Sequence, residues 1–361
     1  MPIPEQRDLE EARGILAGWL ATQVPGATAV EVGEISGPAF TGFSNETLLF
    51  DASWDAGGDR VTESLVLRVK PVRHTVFLEQ DFDEQYRVIK VLGERTDVPV
   101  PTMKWFEEDA SYLGAPFFVM EKVDARAPAD APAYTQGGWV MDETTPEQRR
   151  TLVESGIDAL AAVHAVDLKA LDLGVLDKPR WGKLGFEQQL RYYEASFDWA
   201  LGDRTVPPIA QQALEWVQAN APTDDPEIAL CWGDARINNQ LFDADYRVAA
   251  VVDWEMVTLA DPMMDLGWWL FLDRHFHEGM PAPRMEGFPT RDDMVARYEQ
   301  TSGRTARDLD FYERFAGLRF AVVMMRLSAL LLEFEVMDDA MATEMMTENA
   351  VTRVLADLLS R

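Results

Sequence analysis

The chain has 361 residues, 47% of them hydrophobic, and a formal net charge of −29. That apolar content buries a sizeable core and excludes wholesale disorder, and the length suits two lobes better than one core. The charge excludes nucleic-acid or anionic-membrane binding through a general basic surface; it suits cationic small molecules in a cleft, or serves solubility alone.

The N-terminal MPIPEQRDLEEARG is acidic, without the apolar run of a signal peptide. With Cys231 as the one cysteine, no intramolecular disulfide forms, and a cytoplasmic location is expected. Residues 4–22 place Leu9, Ala12, Ile15, Leu16, Trp19 and Leu20 at helical spacing. Residues 30–35 and 47–54 predict strands flanking the loop SGPAFTGFSN. LVLRVK alternates so that Arg68 and Lys70 share one face of a strand. Phe82, Tyr86 and Ile89 form one stripe of a helix that VPVP ends, and PFFVMEKV predicts a fully buried strand.

Residues 124–142 turn rich in Ala, Pro and Gly, and are read as the inter-lobe connection, over which an acceptor enters. Thr145, Pro146 and Gln148 carry the signature of a capped helix start, and Leu152, Gly156, Ile157, Leu160 and Val163 continue that helix. CWGDARINNQLFDADYRVAAVVDWE then predicts a strand–turn–strand pair, and helices resume after Asp261 and Pro262. The apolar stretch FAVVMMRLSALLLEF contains Arg326 and reads as a buried helix rather than a membrane span. Strands first and helices after make the fold class α+β.

The chemistry concentrates in that strand–turn–strand segment. Asp234 and Asn239 stand in the loop after IALCW, and Asp253 ends the following strand. A hairpin brings Asn239 and Asp253 face to face as hard oxygen ligands suited to Mg²⁺. Asp234 remains to take a proton from an attacking hydroxyl, and Arg236 can clamp a transferring phosphoryl group. Each residue alone reads more simply as a turn cap; the set at this spacing reads as chemistry.

GDARINNQLFD with VVDWE downstream, and Asp261-Pro262-Met263-Met264-Asp265-Leu266 after it, resembles the catalytic loop and metal strand of the aminoglycoside phosphotransferase family, within the protein-kinase-like superfamily. GFSNETLLF, LVLRVKP, DEQYRVIKVLGERTDVPVP and GAPFFVMEKVD extend the resemblance over most of the chain. It implies a bilobal protein-kinase-like fold, with residues 1–123 as the nucleotide-binding lobe and 124–361 as the catalytic and acceptor lobe. It implies ATP and Mg²⁺ as cofactors, Asp234 as base, and Asn239 and Asp253 as metal ligands. Gly42, Phe43, Ser44 and Asn45 would cover the phosphates, and Arg68, with Lys70 as competitor, would pair with them. Met120, Glu121 and Val123 would form the adenine hinge. Asp265 would support the catalytic loop, and His164 would be structural.

The departures are Trp232 for the usual His, Gln85 at the place of the glutamate that partners the strand cation, Asn238 for a common glycine, and Ala125 after the hinge. Asp81 and Glu84 are the other expected partners of Arg68, and Asn238 is expected to tolerate left-handed backbone. His275 and His277 read as a helix end or cleft rim, and Trp268, Trp269 and Phe271 as core. The expected partner is a small-molecule hydroxyl acceptor, with no nucleic acid or membrane, and the chain a monomer or homodimer. An aminoglycoside-like, cationic acceptor is favoured. The alternatives are a macrolide, an amino alcohol or a hydroxyacyl-CoA, or a nucleotide-binding module without transfer activity.

Overall fold

The computed structural model describes residues 7–37, 45–222 and 227–361. Helix α1 (Leu9–Gln23) starts where Asp8 accepts hydrogen bonds from the N–H groups of Glu10 and Glu11, and it buries Ala12, Leu16, Trp19 and Leu20. Strand β1 (Thr28–Val32) is shorter than expected, and Ser36 rejoins the sheet by one bridge to Leu49. Strands β2 (Glu46–Ala56) and β3 (Asp59–Val69) pair without a register break around Gly57 and Gly58. Both glycines have positive φ, as a two-residue hairpin turn requires.

Helix α2 (Phe82–Arg95) follows, then β4 (Met103–Glu107) and β5 (Phe117–Glu121). The five strands make one antiparallel sheet in the order β1-β2-β3-β5-β4. One face packs Leu48, Phe50, Leu67 and Phe117 under Trp19 of α1. The other face meets α2 through Phe82 and Phe118, and this cluster runs on into the helical body through Leu160, Trp232 and Phe271. The two lobes therefore share one apolar core at their junction.

The helical body contains α3 (Trp139–Asp142), α4 (Pro146–His164), α5 (Phe186–Leu201) and α6 (Pro208–Ala219). Thr145 and Gln148 form the expected reciprocal capping box at the start of α4, with Pro146 in its first turn. Short strands β6 (Ala229–Cys231), β7 (Gln240–Phe242), β8 (Val248–Val251) and β9 (Thr258–Ala260) follow; β7 pairs with β8 as the hairpin, and β6 with β9. Then come α7 (Met263–Arg274), a π-helical turn (His275–Gly279), α8 (Arg291–Ser302), α9 (Leu309–Glu333), α10 (Asp339–Thr347) and α11 (Ala350–Leu359). By length and composition α9 is apolar enough to cross a membrane, yet 56% of its apolar window is buried, and it packs against α5, α6, α7, α10 and α11. The architecture is the α+β, bilobal, kinase-like one.

Candidate active site

The loop after β6 is fixed from beneath by Asp265, in the first turn of α7. Its carboxylate accepts hydrogen bonds from the backbone N–H of Trp232 at 2.6 Å and of Gly233 at 3.0 Å. His164 bridges Asp265 at 3.2 Å to the Tyr298 hydroxyl at 2.7 Å. A fully buried carboxylate is tolerated because it is hydrogen-bonded on every side. His164, Cys231 and Asp265 lie within 4.8 Å of one another, but all three spend their polar atoms on hydrogen bonds, Cys231 donating to the Asp261 carbonyl. The structural roles expected for Asp265 and His164 are the ones their contacts describe.

Trp232, in place of the usual His, donates its indole N–H to the carbonyls of Val252 at 3.0 Å and Asp253 at 3.1 Å. It ties the loop to the strand end that carries the candidate metal ligand. Gly233 has φ +93°, and a Cβ there would lie 2.0 Å from the Met256 carbonyl oxygen. Its own carbonyl accepts from Arg319 at 2.9 Å.

Asp234 has both carboxylate oxygens oriented. One accepts from the Trp268 indole N–H at 2.8 Å; the other accepts from the Asn239 amide at 2.7 Å and from Arg236 Nε at 3.1 Å. Trp268 is core by burial, but this donation places it in the site, which its sequence reading as core had missed. Arg236 also reaches Asp130, in the inter-lobe connection, at 2.6 Å. With its nitrogen committed to Asp234, Asn239 keeps its carbonyl oxygen for a cation. The Val252 N–H donates to the Asn239 backbone carbonyl at 2.9 Å, which leaves the side-chain oxygen free and sets Asp253 directly after a residue tied to Asn239. Asp253 has φ +63°, a left-handed conformation that turns the chain out of the β8 direction. Asn238 departs from expectation: it lies in a right-handed 3-10 turn, and its amide clamps the carbonyls of Pro128 and Ala129.

Arg68 reaches this site from β3. Its partners are Glu255 at 2.5 Å and Asp253 at 3.4 Å, not Gln85, Asp81 or Glu84. Glu84 and Asp81 instead take Lys178, at 2.5 and 3.3 Å, across the lobe junction. Gln85 accepts weakly from the Asn45 amide, which donates more closely to Glu255 at 2.7 Å. Glu255, two residues past Asp253, was missed because its partner is 187 positions away in the chain. Gly42, Phe43 and Ser44 lie outside the described residues; Asn45 is buried against Glu255.

At the proposed hinge, the Glu121 N–H donates to Thr102 and the Lys122 N–H to Ser64, both at 2.9 Å. The Val123 N–H has no hydrogen-bond partner among the described residues. Met120 is half-buried against the larger core. Beside Glu255 opens a recess lined by Phe77, Lys178, Trp181, Tyr192, Tyr193 and Met256 among others. Its carboxylates are all paired: Glu79 with Arg180 and Glu255 with Arg68 at 2.5 Å, and Asp81 with Lys178 at 3.3 Å.

A sheet lobe over a helical lobe, with this Asp/Asn/Asp set at the junction, defines a kinase-like phosphotransferase. The chain belongs to the phosphotransferase enzyme family abbreviated APH, whose model matches residues 41–316. It is 31% identical over 259 residues to acyl-CoA dehydrogenase family member 11 of Gallus gallus, covering 71% of this chain and 30% of that protein. The chain spans about a third of the length of the curated relatives it matches. Its fold is similar to that of a Ralstonia eutropha protein provisionally assigned as an aminoglycoside phosphotransferase, with TM-score 0.69 and 24% identity over 96% of this chain and 98% of that one. An ADP-bound aminoglycoside phosphotransferase shares the fold at TM-score 0.55 and 13% identity, covering 98% of this chain and 99% of that one.

Proposed function

We propose that the chain transfers the γ-phosphoryl group of ATP, taken as its Mg²⁺ complex, to a hydroxyl of a small molecule. The observation that carries this reading is the state of Asp234: oriented by three donors, one of them the amide of Asn239, whose backbone carbonyl takes the N–H of Val252 next to Asp253. That donor set fits Mg²⁺, which would be held by Asn239 and Asp253 and would neutralise phosphate charge when bound. Asp234 orients the acceptor hydroxyl and takes its proton. Arg236 offers charge to the phosphoryl group. Arg68 pairs with the phosphates in exchange for Glu255. The Val123 N–H and Glu121 carbonyl read the adenine edge, over the side chain of Met120. In this reading residues 1–123 carry the nucleotide and 124–361 carry the base and the acceptor. Positioning and charge neutralisation supply most of the rate.

For the acceptor, a hydroxyacyl thioester has more support than the aminoglycoside-like one favoured by charge alone. A cationic acceptor needs free carboxylates, and in the recess beside Glu255 the other two, Glu79 and Asp81, are paired with Arg180 and Lys178. The curated relatives, matched over about a third of their length, bear acyl-CoA dehydrogenase names, which supports an acyl thioester as acceptor. The test is coupled ADP release across hydroxyacyl-CoAs, aminoglycosides, macrolides and amino alcohols, with Asp234→Ala as blank. Hydroxyacyl-CoAs are expected to exceed the blank by at least about a hundredfold. Release from aminoglycosides alone would restore the cationic reading. Release equal to the blank with every acceptor would leave a nucleotide-binding module.

A further inference from the structure

His275 follows Trp268 by about two helical turns, so both residues face one side of α7 and its π-helical extension. That side meets Phe320 of α9. The Phe320 ring centroid lies 5.7 Å from Trp268 and 5.2 Å from His275. Trp268 donates to Asp234, so this aromatic row starts at the candidate base and ends at His275. Phe320 is only half-buried, which leaves the middle of the row open. Single π-helical turns are found often at functional positions.

The three buried histidines differ. His164 uses both ring nitrogens, and His277 is held through Nδ1 by the Asp273 carbonyl and carboxylate, with its Nε2 buried and unpaired among the described residues. His275 is 6% exposed; its Nδ1 is fully buried without a hydrogen-bond partner among the described residues, and its Nε2 keeps some exposed surface. Leaving the buried Nδ1 unsatisfied costs about 1–3 kcal/mol, and the accessible Nε2 is the nitrogen that a bound molecule can reach. The charges that act on it are Arg236 and Asp130, which pair with each other, and Arg353. Burial, with the Arg236 guanidinium nearby, pushes the imidazole down to about 4, so it is neutral at working pH. A neutral imidazole offers one donor and one acceptor, and no attraction to an ammonium.

The geometry points to His275 as the residue that reads the acceptor: its Nε2 takes an uncharged carbonyl or hydroxyl oxygen on a molecule whose hydrocarbon lies along the half-buried Phe320. The assignment rests on the phosphotransferase reading and narrows it to a hydroxyl on an apolar skeleton beside a neutral polar group.

The test uses the full chain with His275→Phe and His275→Gln, assayed with 3-hydroxyoctanoyl-CoA and, as charged control, kanamycin. His275→Phe is expected to raise the KM for the thioester about tenfold, leaving kcat and the KM for Mg·ATP near wild type. His275→Gln, which keeps a hydrogen-bonding end, is expected to recover most of that loss. An unchanged thioester KM in His275→Phe, an equal rise in the nucleotide KM, or turnover of kanamycin alone would overturn the assignment. If the wild type releases no more ADP than Asp234→Ala, the phosphotransferase reading itself fails. The imidazole nitrogen resonances of His275 then give the answer without turnover. They are expected to move when 3-hydroxyoctanoyl-CoA is added with Mg·ADP present, and static resonances would reject the role.

Discussion

Asp234→Asn is expected to lower kcat by about 10²–10⁴-fold while Mg·ATP binding stays within about twofold of wild type. The carboxylate of Asp234 receives three N–H donors, from Trp268, Asn239 and Arg236. An asparagine there keeps one acceptor oxygen and turns an NH₂ toward at least one of those donors, so the side chain loses both its basicity and its fixed orientation. The loop itself is held by Asp265 through the backbone of Trp232 and Gly233, so the fold does not depend on Asp234. Paired measurements of kcat and of nucleotide affinity separate the two effects. A variant that keeps more than about a tenth of wild-type turnover would remove Asp234 from the base role.

The second large effect is expected from Gly233→Ala. At φ +93° an L-residue is strained, and the new methyl would stand 2.0 Å from a backbone oxygen, that of Met256, which has no rotamer through which to yield. We expect a loss of about 3–5 kcal/mol, read as a thermal midpoint lowered by about 5 °C for a chain of this size. Turnover is expected to fall as well. Met256 lies three residues past Asp253, and pushing its segment away separates the candidate base from the candidate metal ligand. A variant that melts and turns over like wild type would show that the loop adjusts freely, against the packing described above.

Much of this arrangement was legible because it is local. The stripe of α1, the capping box of α4 and the β7–β8 hairpin each depend on residues a few positions apart. The same locality made Asp234, Asn239 and Asp253 recognisable as a set. Trp232 was readable as a donor because an indole has one N–H to give, and it gives it to the strand end beside it in space. What sequence reasoning missed joins distant segments. Glu255, rather than a residue of α2, partners Arg68, because α2 spends Glu84 on Lys178 from the loop before α5. Trp268 serves both the core and Asp234, a double role that hydrophobicity alone conceals. Strands β4 and β9 carry little alternation of their own and exist through pairing with β5 and β6.

A crystal structure grown with Mg²⁺ and a non-hydrolysable ATP analogue tests the central claim most directly. The account predicts the metal at about 2.1 Å from the Asn239 side-chain oxygen and from an Asp253 carboxylate oxygen, Arg68 transferred from Glu255 to the phosphates, and Asp234 facing the terminal phosphate. A metal held by other groups, or Asp234 turned away from that phosphate, would contradict it.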